Sequence, residues 1–156
     1  MRVDHIPCGE YVNESERKAV ERLKDFLKKK ECTDKTWILL TNILLSLNHQ
    51  LHSDELDIVL LSDAGVKVIE VKHWSPQWLG KALAGKEEKR ILDREKEVLE
   101  RKARKVGTTL RTHLPNLNYV PGQFLLTWEP SELKELKNLP DHFFTLKEED
   151  LEKLLG

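Results

Sequence analysis

The sequence predicts an α/β fold in which a mixed central β-sheet is flanked by helices. Apolar runs rich in Ile, Val, Leu and Phe are typical of strands, and four of them occur at 37–47, 56–62, 66–72 and 123–127. Two longer segments, 14–30 and 86–114, carry apolar residues at helical spacing instead. The resulting order is α-β-β-β-α-β. A hairpin combined with a helical crossover gives a sheet of mixed direction.

The first helix, 14–30, is predicted from one apolar face and from a signal at its start. Asn13 and Glu16 are three residues apart, which resembles a capping box. The apolar face consists of Ala19, Val20, Leu23, Phe26 and Leu27. A strand at 37–47 and a polar connection at 49–54 are predicted to follow.

Strands 56–62 and 66–72 are predicted to form a hairpin, because only the turn Asp63-Ala64-Gly65 separates them. The next segment, 74–85, contains one proline and two glycines and is predicted to be a loop.

The long helix at 86–114 is predicted from an apolar stripe, which Gly107 weakens. The stripe consists of Ile91, Val98, Leu99, Ala103, Val106 and Leu110. A loop then leads to the strand at 123–127. The predicted elements after it are a short helix at 133–139, an extended piece at 143–146 and a terminal helix at 148–155.

Length and composition fit a single globular domain, 1–156. The chain is 39% hydrophobic and 34% charged, which is a well-solvated composition with enough apolar residues for one core. No apolar run approaches the roughly 20 residues that span a bilayer, and residues 1–5 lack the apolar segment of a signal peptide. We therefore expect a cytoplasmic protein without membrane contact.

The net charge of −1 conceals an asymmetry. Residues 81–112 carry 11 Lys or Arg and 6 Asp or Glu, a net charge of +5, and the rest of the chain carries −6. The long helix therefore has a local basic face that contains Lys102, Arg104 and Lys105. Such a face is compatible with phosphate binding or with simple solvation.

Three charged residues within the apolar strands form the candidate site. Glu70 and Lys72 are two residues apart, so they lie on one face of their strand. With Asp63 and Ala64 at the tip of the hairpin, Asp57 falls opposite Glu70, and a shift by one residue would place it on the other face. Two carboxylates so close together suit Mg²⁺ or Mn²⁺, and the backbone carbonyl of Val71 offers a further ligand. The alternative is a structural Glu70–Lys72 ion pair with Asp57 at the strand entry.

Each of two helix residues has two alternative roles, one of which is to reach the same patch. Glu16 lies on the apolar side of the first helix, where its alternative role is in the capping box. Lys102 interrupts the apolar stripe of the long helix, where its alternative role is a lysine whose amine extends to solvent.

The stretch L-D-I-V-L-L-S-D-A-G-V-K-V-I-E-V-K-H-W, from Leu56 to Trp74, resembles the NERD (nuclease-related) domain of the PD-(D/E)xK nuclease superfamily. Three weaker likenesses support it: S-E-R-K-A-V-E-R-L from Ser15, R-K-A-R-K-V-G-T-T-L-R-T-H-L from Arg101, and V-P-G-Q-F-L-L-T from Val120. Three positions depart from the family pattern. Ser15 replaces a glycine, Leu56 a proline, and Lys102 a glutamine near the site.

The resemblance implies the αβββαβ restriction-endonuclease-like core, with Asp57, Glu70 and Lys72 as catalytic residues and Glu16 as a supporting acid. It implies hydrolysis of phosphodiester bonds, in DNA rather than RNA, with Mg²⁺ or Mn²⁺ as cofactor. The alternative is a nuclease-fold module with little catalysis that binds nucleic acid or a partner protein. A homodimer is also compatible with the sequence.

Aromatic and histidine residues near the hairpin leave two further alternatives. Trp74 follows Lys72 closely and is predicted either to stack on a base or to pack its loop. His49, His52 and His73 could form a zinc site, although their spacing matches no zinc motif.

Overall fold

The computed structural model describes residues 2–11, 13–29, 36–45, 54–128 and 139–155. Its strands and helices are interspersed along the chain, as expected for an α/β fold. They are β1 (Arg2–Pro7), α1 (Glu14–Lys29), β2 (Thr36–Leu45), β3 (Asp54–Ser62), β4 (Gly65–Lys72), α2 (Pro76–Leu83), α3 (Glu88–Arg111), β5 (Gly122–Leu126), β6 (Phe143–Phe144) and α4 (Glu148–Leu155). The order α1-β2-β3-β4-α3-β5 is the predicted αβββαβ core.

The six strands form one mixed sheet in the order β1-β2-β3-β4-β5-β6. The pairs β2–β3 and β3–β4 are antiparallel, whereas β1–β2, β4–β5 and β5–β6 are parallel. The long helix α3 makes the crossover from β4 to β5, since parallel neighbours need a connection that returns the chain to the same end. The predicted mixed sheet is therefore confirmed.

Helices cover both faces of the sheet and create two cores. α1 and α4 pack on one face, against side chains that include Leu39, Ile58 and Ile69. α2 and α3 pack on the other face, against side chains that include Val68 and Phe124. Because strand side chains alternate, β3 and β4 contribute to both cores. A charged residue on these strands therefore faces a helix on one side or the other.

The prediction of a loop at 74–85 is wrong, because α2 occupies Pro76–Leu83. Ser75 is its N-cap, with the hydroxyl oxygen accepting a hydrogen bond from the Trp78 backbone N–H at 3.1 Å. Pro76 stands in the first turn, where the missing N–H removes no helical hydrogen bond. The pair Ser75-Pro76 thus marks the start of this helix. Gly85, with φ +82°, lies just beyond its end.

Strand β1 is absent from the sequence prediction. Its residues include Arg2, Asp4 and His5, so it lacks the apolar run that identifies a strand buried on both sides. It lies at the edge of the sheet, parallel to β2, and an edge strand tolerates charged side chains.

The remaining predictions hold with small shifts at the ends. The long helix spans Glu88–Arg111, the extended piece near the C-terminus is β6, and the terminal helix is α4. The predicted helix at 133–139 and the connection at 49–54 lie almost entirely outside the described residues. In the described ranges no helix has the length and apolarity to cross a membrane.

A close approach of α3 to the sheet occurs at Gly122, the first residue of β5. A Cβ on this glycine would lie 2.7 Å from Leu99 Cγ, so only glycine fits beneath the helix here. Lys102 follows Leu99 by three residues and shares its side of α3. The contact therefore places Lys102 over the central strands.

Candidate functional site

The register of the β3–β4 hairpin matches the predicted one. Ser62 pairs with Gly65 at the turn, and the pairing continues as far as Ile58 with Ile69. The next positions in this register are Asp57 and Glu70, and regular pairing ends before them. The two carboxylates therefore lie where β3 and β4 separate.

Asp57 bonds to the partner strand through its side chain. Its Oδ2 accepts a hydrogen bond from the Val71 backbone N–H at 2.8 Å. Burial is the main cause that raises the pKa of Asp57, and the charge of Glu16 raises it further, whereas the Val71 amide, Lys102 and Lys72 oppose the change. The Val71 amide thus contacts Asp57, and a role for the Val71 carbonyl as a metal ligand stays a prediction.

Glu70 is buried and paired with a lysine from α3. Lys102 Nζ lies 3.2 Å from Oε1 and 3.1 Å from Oε2 of Glu70. Burial raises the pKa of Glu70 to about 7, and the nearby charge of Asp57 acts in the same direction, against Lys102 and Lys72. Glu70 and Asp57 thus repel each other in a poorly solvated place.

Lys72 lies on the same face as Glu70, as predicted, because both contact α3. Its Nζ is 2.9 Å from Glu95 Oε2 and 5.5 Å from the centre of the Trp74 ring. The Glu70–Lys72 ion pair of the alternative reading is therefore replaced by two separate pairs, Glu70–Lys102 and Lys72–Glu95.

Glu16 approaches from the opposite helical layer. Glu16 is only 4% exposed, which is unusual for an acidic residue. The Asn13 side chain caps α1 by accepting a hydrogen bond from the Glu16 backbone N–H at 2.9 Å. The Glu16 carboxylate instead accepts a hydrogen bond from Asn42 on β2. Capping thus uses the backbone of Glu16, and the carboxylate remains directed at the sheet.

The basic residues of α3 divide into two groups. Lys102 is buried against Glu70, so of its two alternative roles the structure shows the one in which it reaches the carboxylate patch. Arg104 is exposed and Lys105 is partly exposed. Arg104 and Lys105 therefore remain candidates for phosphate contacts, whereas Lys102 would have to leave Glu70 before it could contact a phosphate.

Trp74 packs against other aromatic rings. Its ring centre lies 5.0 Å from that of Trp78 and 5.2 Å from that of Phe124. In the structure Trp74 therefore packs against its own protein, as one of the two alternatives predicts. Stacking of Trp74 on a base stays a prediction. His73 is exposed and lies 3.0 Å from the Thr127 hydroxyl oxygen, whereas His49 and His52 lie outside the described residues.

Asp57 and Glu70 are the carboxylates that would hold a divalent cation at this site. In the part of the chain that the structure describes, no group of three or more Asp, Glu, His or Cys side chains is arranged to hold a metal. Asp57 and Glu70 are thus two carboxylate donors whose mutual repulsion a cation would relieve. Mg²⁺ commonly takes one or two carboxylates and keeps several waters, so two are sufficient.

Two residues of the site escaped the sequence analysis. Asn42 interrupts the apolar strand 37–47, and a polar residue in such a run is a signal of a special role. Glu95 precedes Lys102 by seven residues, which is two helical turns, so it lies on the same side of α3. Neither signal identifies the partner, because the partners lie on other elements.

The raised pKa of Glu70 predicts how stability depends on pH. A carboxyl group whose pKa is higher in the folded than in the unfolded protein favours folding when protonated. This stabilisation is fully present below the ordinary value of 4.5 and is lost as pH rises through about 7. In metal-free buffer, the contribution of Glu70 to the free energy of unfolding should fall across that range.

Urea unfolding at several pH values, compared with Glu70→Gln, measures this contribution. Burial lowers the pKa of His5 and of His142, which contribute with the opposite sign, so the difference between the two proteins is the useful quantity. An equal pH dependence in wild type and Glu70→Gln would contradict the assignment.

A comparison with protein families gives a match over most of the chain. Residues 12–121 match the family described as the nuclease-related domain, NERD. No curated protein and no solved structure matches the chain. The matched region contains α1, β2, the β3–β4 hairpin and α3, which carry Glu16, Asn42, Asp57, Glu70, Lys72, Glu95 and Lys102. Since it covers well over half of the 156 residues, the chain belongs to the nuclease-related domain family, within the PD-(D/E)xK superfamily.

Proposed function

We propose that this protein is a metal-dependent nuclease that hydrolyses phosphodiester bonds, in DNA rather than RNA. The observation that carries the proposal is the placement of Asp57 and Glu70 at the point where β3 and β4 separate, with Lys72 on the same face. Membership of the nuclease-related family supports a reaction of this class.

Asp57 and Glu70 would hold Mg²⁺ or Mn²⁺. When bound, such a cation neutralises charge that builds on a phosphate and makes a water more acidic. Asp57 would bind the cation through Oδ1, because its Oδ2 accepts the hydrogen bond from the Val71 amide. Glu70 needs its oxygens released from Lys102, so this lysine must move as the site fills.

Lys72 would orient the attacking water and stabilise the charge that develops on the phosphate. Its amine is held by Glu95 at 2.9 Å and is partly accessible, so a phosphate oxygen can replace that carboxylate. Glu16 would add negative charge next to Asp57 from the other layer. Arg104 and Lys105 would contact the nucleic-acid backbone, which brings affinity without sequence preference.

A second candidate function is a binding module with little catalysis. The contact of Lys102 with both oxygens of Glu70 favours it, because the amine takes the place that a cation would need. Such a module would bind nucleic acid or a partner protein through the same fold.

The test is incubation with supercoiled plasmid and with single-stranded DNA, in Mg²⁺, in Mn²⁺ and in EDTA. Glu70→Ala serves as the site variant. We expect cleavage with either metal, none in EDTA and none by the variant. Cleavage by Glu70→Ala or in EDTA would overturn the site assignment. DNA binding without cleavage under all conditions would support the second candidate instead.

A further inference from the structure

Asn42 has an unusual backbone conformation in the middle of β2. Its φ is +54°, the only positive value at a non-glycine residue in the described ranges. L-residues avoid this left-handed region, and asparagine is among the few that tolerate it. A strand residue keeps this conformation only where surrounding contacts favour it over the regular hydrogen bonding of the strand.

The distortion lies directly beside the carboxylates. β2 and β3 pair at Thr41 with Ile58 and again at Ile43 with Leu56. This register places Asn42 opposite Asp57, and these two residues are missing from the ladder. Asp57 instead contacts β4 through its side chain. The interruption of the β2–β3 pairing at Asn42 therefore lies at the position of Asp57, whose side chain bonds to β4.

The side chain of Asn42 connects this break to Glu16. Its Nδ2 donates a hydrogen bond to Glu16 Oε1. Its Oδ1 is buried and has no hydrogen-bond partner among the described residues, so a donor such as a water is needed there. Asn42 and Asp57 also line one cleft of about 400 Å³, which can hold water.

The loop after β1 holds Asn42 from the other side. A Cβ on Gly9 would lie 2.9 Å from the Asn42 carbonyl oxygen, so the two backbones are in close contact. The conformation of Asn42 is thus constrained by Gly9 on one side and by Glu16 on the other.

We propose that Asn42 is a positioning residue of the metal site, which holds the Glu16 carboxylate beside Asp57. This inference rests on the proposed function, because it needs a cation at Asp57 and Glu70. Asn42 acts through Glu16, so its contribution to metal affinity disappears when the Glu16 carboxylate is absent.

A double-mutant cycle tests the proposal, with Mn²⁺ affinity measured by isothermal titration calorimetry. The variants are Asn42→Gly, Glu16→Ala and the double variant. Glycine adopts the left-handed backbone conformation freely. Asn42→Gly therefore removes the side-chain amide and keeps the left-handed backbone at this position. Thr36→Gly, at the exposed start of β2, is the control for glycine in this strand.

We expect Asn42→Gly and Glu16→Ala each to weaken Mn²⁺ binding by about 10-fold, the lower range for loss of a supporting partner. The double variant should bind no more weakly than Glu16→Ala alone, and Thr36→Gly should bind like wild type. Should Asn42→Gly fail to fold, Asn42→Asp retains left-handed tolerance and lacks the Nδ2 donor. Because an aspartate at this position repels the Glu16 carboxylate, Glu16→Ala should then not weaken Mn²⁺ binding further in that background.

Wild-type affinity in Asn42→Gly, or fully additive losses in the double variant, would overturn the inference and leave the proposed function intact. Failure of the wild-type protein to bind Mn²⁺ would overturn both. The two outcomes are therefore distinguishable in one set of titrations.

Discussion

Asp57→Asn is expected to reduce metal-dependent cleavage by more than about 100-fold, since loss of a mere supporting partner of a metal ligand already costs about 10–100-fold. The amide of asparagine keeps one oxygen that can accept the Val71 hydrogen bond. The fold should therefore survive, while the negative charge that attracts the cation is lost. Mn²⁺ affinity should fall together with the cleavage rate.

Asp63→Asn is the matched control. Asp63 lies at the exposed turn of the same hairpin, at the end opposite the site. The same chemical change there should leave cleavage and Mn²⁺ affinity at wild-type values. Equal losses in both variants would mean that net charge, and not the Asp57 carboxylate, controls the reaction.

Phe124→Ala is expected to lower the free energy of unfolding by about 3–5 kcal/mol, the usual cost of removing a buried phenylalanine. Phe124 is fully buried on β5 and is the largest such side chain among the described residues. Its ring centre lies 5.2 Å from those of Trp74 and Phe143, so truncation removes contacts on two sides. Small proteins have total stabilities of about 5–15 kcal/mol, so this loss is large.

Urea unfolding followed by tryptophan fluorescence measures the loss. Phe124→Leu keeps most of the apolar volume and should cost less than the alanine variant. A loss below about 1 kcal/mol for Phe124→Ala would contradict the description of this core, because a cavity of that size has a measurable cost.

The residues that sequence patterns located well are those on regular elements. Strand alternation and the short turn determine the hairpin register, so Asp57 and Glu70 were predicted opposite each other. Helical periodicity places Glu16 and Lys102 on the inner faces of α1 and α3. These positions follow from local geometry alone, and the structure agrees with them.

These patterns do not predict which residues pair across different elements in the folded protein. Whether Lys72 pairs with Glu70 or with Glu95 depends on how closely α3 approaches the sheet, which Gly122 determines from a distant part of the chain. The left-handed backbone of Asn42 likewise depends on its contacts with Gly9 and Glu16. Sequence periodicity contains no information about such contacts.

The helix α2 was missed for a different reason. Its signals were present, because Ser75 and Pro76 are typical of a helix start. The proline and glycine content of 74–85 favours a loop when it is considered alone, although a proline in the first helical turn has the opposite meaning.

The charged groups of the site come from both helical layers. Glu16 belongs to α1 and Lys102 to α3, on opposite faces of the sheet, yet both act on the Asp57 carboxylate. The geometry of the site therefore depends on how the two cores are spaced across the sheet. Loosening either core would change the distances among these charges, so we expect a substitution in one layer to alter the pKa of an Asp57 carboxyl group that the other layer also influences.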